Sequence, residues 1–196
     1  MARMVSSEHV DQVERAAGRR VRIVHLDAAV FRSLAEGDLE AANQASPVAL
    51  SPYFAGPDWQ SVWARRWTQV EDDPSSAGWV TGVIWDEDLE LAVGRAGFHG
   101  PPDAVGMVEI GYAVEPVHRR RGYARAALQA LLERAVVERE VRTVRLTISP
   151  GNTASERLAS VYGFVPVGEQ WDDEDGREII YELGVGSAGR RAPAVP

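Results

Sequence analysis

The stretch EPVHRRRGYARAALQALLERA, residues 115–135, sets three consecutive arginines against a glycine and then runs into an alanine- and leucine-rich segment. It reads as a turn that opens a helix reaching to about Arg139. A basic run is ordinarily a solvated face, but this one stands at a helix start. Backbone N–H groups of a first helical turn lack intrahelical partners, and the macrodipole leaves that end partially positive. A glycine there lets an anion approach the backbone without a Cβ in the way. Arg119, Arg120, Arg121, Gly122, Tyr123 and Ala124 therefore fit a diphosphate cradle, with a plain solvated helix start as the alternative. Neither a Gly-Lys-Ser/Thr P-loop nor a three-glycine dinucleotide fingerprint is present.

The flanks of this turn predict a mixed α/β fold. Upstream, residues 79–86, 89–100 and 106–116 are three strand-like runs separated by short turns, which predicts an antiparallel meander. Downstream, VRTVRLTI (141–148) reads as a strand, so strand, helix and strand form a crossover unit with parallel pairing. Asn152 is a candidate N-cap for a short helix ending near Gly163, and residues 165–183 form a closing hairpin around the acidic turn DDEDG. Nearer the N-terminus, VRIVHL (21–26) reads as a first strand. Asp27 caps two helical pieces broken at Gly37, and Asp58 caps a helix carrying Trp59, Trp63 and Trp67 on one face. That tryptophan stripe is either core packing or, at Trp63, the wall of a substrate pocket. The expected organisation is an arm or short helix over 1–20, one folded domain over 21–183 and a disordered tail over 184–196.

Composition narrows the function. The 196 residues carry 21 basic and 29 acidic side chains, a formal charge of −8. This argues against nucleic acid as partner, because phosphate backbones call for a broad basic surface. Cysteine is absent, which removes disulfides, thiolate metal sites and cysteine nucleophiles and is compatible with the reducing cytoplasm. His25, His99 and His118 show no ligand spacing, so no metal is expected. No run approaches the ~18 apolar residues of a membrane span, and the expectation is a soluble cytoplasmic protein.

The strand EIGYAVEP, the turn Arg119-x-x-Gly122-x-Ala124, the following strand, and then PGNTAS and YGF together resemble the GCN5-related N-acetyltransferase (GNAT) superfamily over roughly residues 20–183. The phrase EIGY is most similar to the branch that acetylates ribosomal-protein N-termini. The resemblance implies a mixed, largely antiparallel central sheet flanked by helices, with a splayed fourth and fifth strand pair. It implies acetyl-coenzyme A as acyl donor, its pyrophosphate on the arginine–glycine turn. Its pantetheine arm would add like a strand beside Ala113, Val114 and Glu115, with Asn152 and Ser155 also at the cofactor. Dimerisation is common among such proteins, so a homodimer is compatible.

Acyl transfer to an amine needs the neutral base, whereas a free lysine-like amine has a pKa of about 10.4. A carboxylate that accepts the proton helps. Glu109 is the candidate base or substrate anchor, against a structural ion pair or an edge position. The tyrosine that many relatives place seven residues after the asparagine is here Ala159. Ser155 stands where the ribosomal-protein branch has a serine proposed to protonate the departing thiolate, and it is equally the third residue of a capping turn. The acidic run Asp172, Asp173, Glu174 and Asp175 is a candidate for attracting a positively charged amine, with Trp171 beside it as a substrate-binding candidate and an ordinary solvated hairpin tip as the alternative. The expected activity is acetyl transfer to a protein N-terminus or small amine in a ternary complex. A non-catalytic acyl-coenzyme A sensor is the alternative that the missing tyrosine suggests.

Overall fold

The computed structural model describes residues 4–5, 19–172 and 176–186. In chain order the elements are β1 (Met4–Val5), β2 (Val21–Val24), α1 (Ala28–Ala35), α2 (Leu39–Ala45), α3 (Pro57–Asp72), a 3-10 turn (Pro74–Gly78), β3 (Gly82–Asp86), β4 (Leu91–Phe98), β5 (Met107–Val114), a second 3-10 turn (Pro116–His118), α4 (Tyr123–Val137), β6 (Thr143–Ile148), α5 (Thr153–Val161), β7 (Val165–Asp172) and β8 (Gly176–Val185). They divide into two compact units, and both β5 and α4 pass from one to the other.

The first unit comprises Ala17–Pro101 and Ile110–Leu131. Strands β2, β3, β4 and β5 pair antiparallel in sequence order; β3, β4 and β5 are the meander that the short turns between them predict, and β2 joins its edge after the helical segment. Their crossing is tight: a Cβ added at Gly97 would lie 2.6 Å from Thr81 Cα and 2.7 Å from Val80 O. Asp27 Oδ1 accepts from Val30 N at the start of α1, Gly37 adopts φ +75° where α1 stops, and Asp38 caps α2 through Ala41 N. Gly56, not Asp58, is the N-cap of α3. Pro57 occupies the first helical position, for which its fixed φ and missing N–H suit it, and Asp58 falls inside the first turn. Trp63 is fully buried with Val30, Phe31, Leu34 and Phe54, stacks on Phe31 at 6.0 Å, and donates Nε1–H to Phe54 O at 2.7 Å. Trp59 and Trp67 are partly buried against the same core.

The second unit comprises Met1–Ala16, Pro102–Glu109 and Leu132–Pro196. Here β5 and β6 run parallel over three residue pairs, Met107↔Thr143, Val108↔Val144 and Glu109↔Arg145. A ladder this short is the splayed pair expected from the resemblance. Strand β6 pairs antiparallel with β8, which also forms the closing hairpin with β7. Two results differ from the sequence reading. Met4–Val5 is a strand, parallel to β8, inside the region expected as an arm or short helix; the remainder of that stretch before Arg19 lies outside the described residues. Strand β8 also continues through Gly184 and Val185, into the expected tail. Gly184 pairs with both Met4 and Thr143, and Val185 N donates to Arg142 O at 2.8 Å, so the backbone there is held by its neighbours. Beyond residue 186 the expected tail lies outside the described residues.

Candidate active site

In the first unit β5 leads directly into the arginine turn. Glu115 N donates to Val93 O at 2.9 Å, and a Cβ on Gly94 would collide with Ala113 O, so residues 113 and 115 turn their backbone groups toward β4. Alternation along a strand then points the groups of Tyr112 and Val114 to the opposite edge. Arg119 reaches back to that edge and donates from Nε to Val114 O at 3.0 Å. Of the three residues expected beside the cofactor arm, Val114 alone offers its backbone there. The Glu115 side chain is occupied within the unit: Oε2 accepts from Ser51 Oγ at 3.1 Å and lies 3.8 Å from His118 Nε2.

Two left-handed residues shape the turn itself, Arg120 at φ +60° and Gly122 at φ +89°. A non-glycine residue held there carries roughly 1–2 kcal/mol of local strain, and such strain collects at functional sites. Gly122 O accepts the first helical bond, from Ala126 N at 3.0 Å, so Gly122 is the residue from which α4 springs. A Cβ added to it would meet Arg19 Cγ at 3.8 Å and nothing nearer. Packing therefore does not demand a glycine here; the backbone conformation does. Arg119, Arg120, Arg121 and Gly122 are exposed and Ala124 is partly exposed, which leaves a bare, cationic helix start suited to a diphosphate. Tyr123 differs from the other five. Its ring is 1% exposed and its hydroxyl donates to Asp86 Oδ2 at 2.7 Å, so only its backbone remains for a cofactor.

In the second unit Glu109 lies partly buried in the last residue pair of the β5–β6 ladder. Thr147, two residues beyond its partner Arg145, donates from Oγ1 to Glu109 Oε1 at 2.8 Å. Arg145 turns instead to Glu182, donating from Nε and Nη2 to Oε1 at 3.1 and 2.7 Å. Asn152 caps α5, its Oδ1 accepting from Ser155 N at 3.2 Å. The backbone of Ser155 thus serves the cap and its hydroxyl is a separate resource. Ala159 and Tyr162 are fully buried, which suits the expectation that Tyr162 is a core residue. Trp171 is 76% exposed on β7, whereas Asp173–Asp175 of the acidic tip lie outside the described residues. Trp63 is corrected: with no exposed surface and its indole N–H taken by Phe54 O, it lines no substrate pocket. Among the described residues no group of histidine, aspartate and glutamate could hold a metal, and no helix is long and apolar enough to cross a membrane.

A family model of the acetyltransferase (GNAT) domain matches residues 29–165. The chain belongs to the GNAT acetyltransferase family. Within that family it is 34% identical over 155 residues to an L-2,4-diaminobutyric acid acetyltransferase of Streptomyces coelicolor, covering 70% of this chain and 84% of that protein. It is 34% identical over 88 residues to YjdG of Bacillus subtilis, an uncharacterised N-acetyltransferase; the match covers 45% of this chain and about half, 52%, of that relative's length. The fold is shared with RimL, a ribosomal L7/L12 α-N-protein acetyltransferase in complex with coenzyme A, at a TM-score of 0.60 and 15% identity over 87% of this chain and 97% of that one. The mixed sheet with its short parallel ladder is the GNAT arrangement.

Sequence reading missed three participants. Thr147 was reachable, because parallel pairing of residues 107–109 with 143–145 sets it on the face of Glu109. Arg19 and Asp86 were not, because they reach the turn only through tertiary contacts with Arg121 and Tyr123.

Proposed function

We propose that this GNAT protein transfers an acetyl group from acetyl-coenzyme A to a primary amine by direct attack in a ternary complex. The observation that carries this reading is the strained, exposed Arg119–Gly122 turn at the open start of α4. Its backbone amides take the pyrophosphate, flanked by the arginines. The pantetheine arm extends along the edge presented by Tyr112 and Val114. Glu109, oriented by Thr147, accepts the ammonium proton, and the amine attacks the thioester carbonyl. As the tetrahedral adduct collapses the C–S bond breaks and the nitrogen gives up its second proton, which passes by way of the Ser155 hydroxyl to the coenzyme A thiolate, leaving the amide, the free thiol and a neutral serine. The acceptor is a small amine or a protein N-terminus, a range that the diaminobutyrate-specific name of one relative and the N-terminal one of a fold neighbour support.

The test is thiol release from acetyl-coenzyme A across an amine panel containing L-2,4-diaminobutyrate, spermidine and short peptides. Amine-dependent release that Glu109→Gln lowers by about 10²–10⁴-fold is the expected result. Coenzyme A binding without turnover on any amine would favour an acyl-coenzyme A sensor instead.

A further inference from the structure

Arg19, Asp86 and Tyr123 come from three separate parts of the first unit, just before β2, at the end of β3 and at the first residue of α4. They converge directly behind the arginine turn. Tyr123 OH donates to Asp86 Oδ2 at 2.7 Å, and Arg19 Nη1 lies 3.6 Å from the same oxygen. The other oxygen, Oδ1, accepts the backbone N–H groups of Asp88 and Leu89 at 2.9 and 3.0 Å. Asp86 has no exposed surface, and this full set of donors is what a buried carboxylate requires. Arg19 also lies over the Tyr123 ring, its guanidinium carbon 4.9 Å from the centroid, and donates from Nε to Arg121 O at 3.3 Å. The His118 ring meets the same tyrosine edge to face at 6.2 Å.

We infer that Arg19, Asp86 and Tyr123 are positioning residues that clamp the cofactor turn from behind, with Arg19 adding a further positive charge beside Gly122. The inference rests on the acyl-coenzyme A reading above. Gly122 lies between two anchored points: the carbonyl of Arg121 is held by Arg19, and the side chain of Tyr123 is held by Asp86. A turn with two left-handed residues has alternatives within reach, because Arg120 relaxes by leaving that region and Gly122 adopts positive or negative φ with equal ease. Fixing the residues on either side of Gly122 keeps the first-turn amides aimed at one point, so less order has to be imposed when the diphosphate binds. Burial opposes ionisation of Asp86, yet the bonds from Tyr123, Leu89 and Asp88 and the charge of Arg19 outweigh it and hold the carboxyl below its usual range. The clamp is therefore anionic at Asp86 at neutral pH, and Tyr123 keeps its proton, its ionisation opposed first by burial and then by Asp86.

The experiment compares the full chain with Tyr123→Phe, Arg19→Gln and Arg19→Lys, measuring the Kd for coenzyme A by calorimetry and the melting temperature without ligand. Tyr123→Phe removes one oxygen and keeps the ring. Arg19 is partly exposed, so its variants fold even if the tyrosine variant does not. The expected result is a Kd raised about tenfold in Tyr123→Phe and Arg19→Gln, the loss of roughly one hydrogen bond, with Arg19→Lys recovering part of it. A lowered melting temperature with unchanged Kd would make the three residues structural only and overturn the inference. Failure of the unaltered protein to bind coenzyme A is a different result: it removes the functional reading itself, and the clamp with it.

Discussion

Thr147, two residues beyond the last pair of the β5–β6 ladder, donates a 2.8 Å hydrogen bond to Glu109 and fixes one carboxylate oxygen of the candidate base. The neighbouring Arg145 donates to Glu182, and the Thr147 hydroxyl holds Glu109 from β6. Thr147→Val should lower kcat by about tenfold, the loss of roughly one hydrogen bond to a charged group. Its KM for acetyl-coenzyme A should be unchanged, and Thr147→Ser should restore the rate. Steady-state kinetics on the three proteins check this; equal rates in the valine variant would show that Glu109 does not depend on Thr147.

Asn152 and Ser155 separate stability from chemistry. Asn152→Ala removes the N-cap of α5 and should cost about 1 kcal/mol in denaturant unfolding. Ser155→Ala keeps the capped backbone N–H, so its stability should stay within about 0.5 kcal/mol of the parent. Its kcat should fall if the hydroxyl protonates the thiolate. A Ser155 variant with full activity would leave the serine as a helix-start residue alone.

Much of this architecture could be read directly from residue patterns. The Asp27 cap, the break at Gly37, the meander and the closing hairpin each rest on local chemistry and stand where the pattern placed them, whereas Asp58 falls inside the first turn of α3 behind the Gly56 cap. The failures were tertiary. A tryptophan at helical spacing looks the same whether it faces a ligand or a core, and Trp63 faces the core because α1 supplies Phe31 against it. Tyr123 looked like part of the cradle because it stands between Gly122 and Ala124, but the first residue of α4 turns its ring inward to Asp86. The edge strand β1 has only two residues and carries no periodicity to detect.

Gly97 and Gly122 should respond to alanine in different ways. At Gly97 the new Cβ would meet backbone atoms of residues 80 and 81 that have no freedom to withdraw, so the cost should be about 1–3 kcal/mol, with loss of packing across the meander. At Gly122 there is space, and the cost is the left-handed conformation, roughly 1–2 kcal/mol. Thermal unfolding should therefore leave Gly122→Ala folded, with its defect appearing in coenzyme A affinity. A Gly122→Ala protein with normal affinity would separate the turn's geometry from binding.

The buried phenol predicts an alkaline signature. Burial and the Asp86 carboxylate raise the Tyr123 pKa above its ordinary 10.0. The folded state thus holds this proton more tightly than the unfolded state. Its stabilising contribution is complete below about pH 10 and is lost as pH rises through the folded value. Tyr123→Phe should be less stable than the parent at neutral pH, and the difference should narrow above pH 10. Denaturant unfolding at pH 7 and pH 11 measures both, and a gap that stays constant would contradict the linkage.

The central claim is that the Arg119–Gly122 turn holds the diphosphate of an acyl-coenzyme A. Its most direct test is calorimetric titration of the protein with acetyl-coenzyme A, repeated on Gly122→Glu, which sets a side chain and a negative charge in the cradle. Saturable binding in the micromolar range that disappears in a folded Gly122→Glu variant is the predicted result. Equal binding by the two proteins would place the cofactor elsewhere, and no binding by the parent would reduce the turn to a solvated helix start.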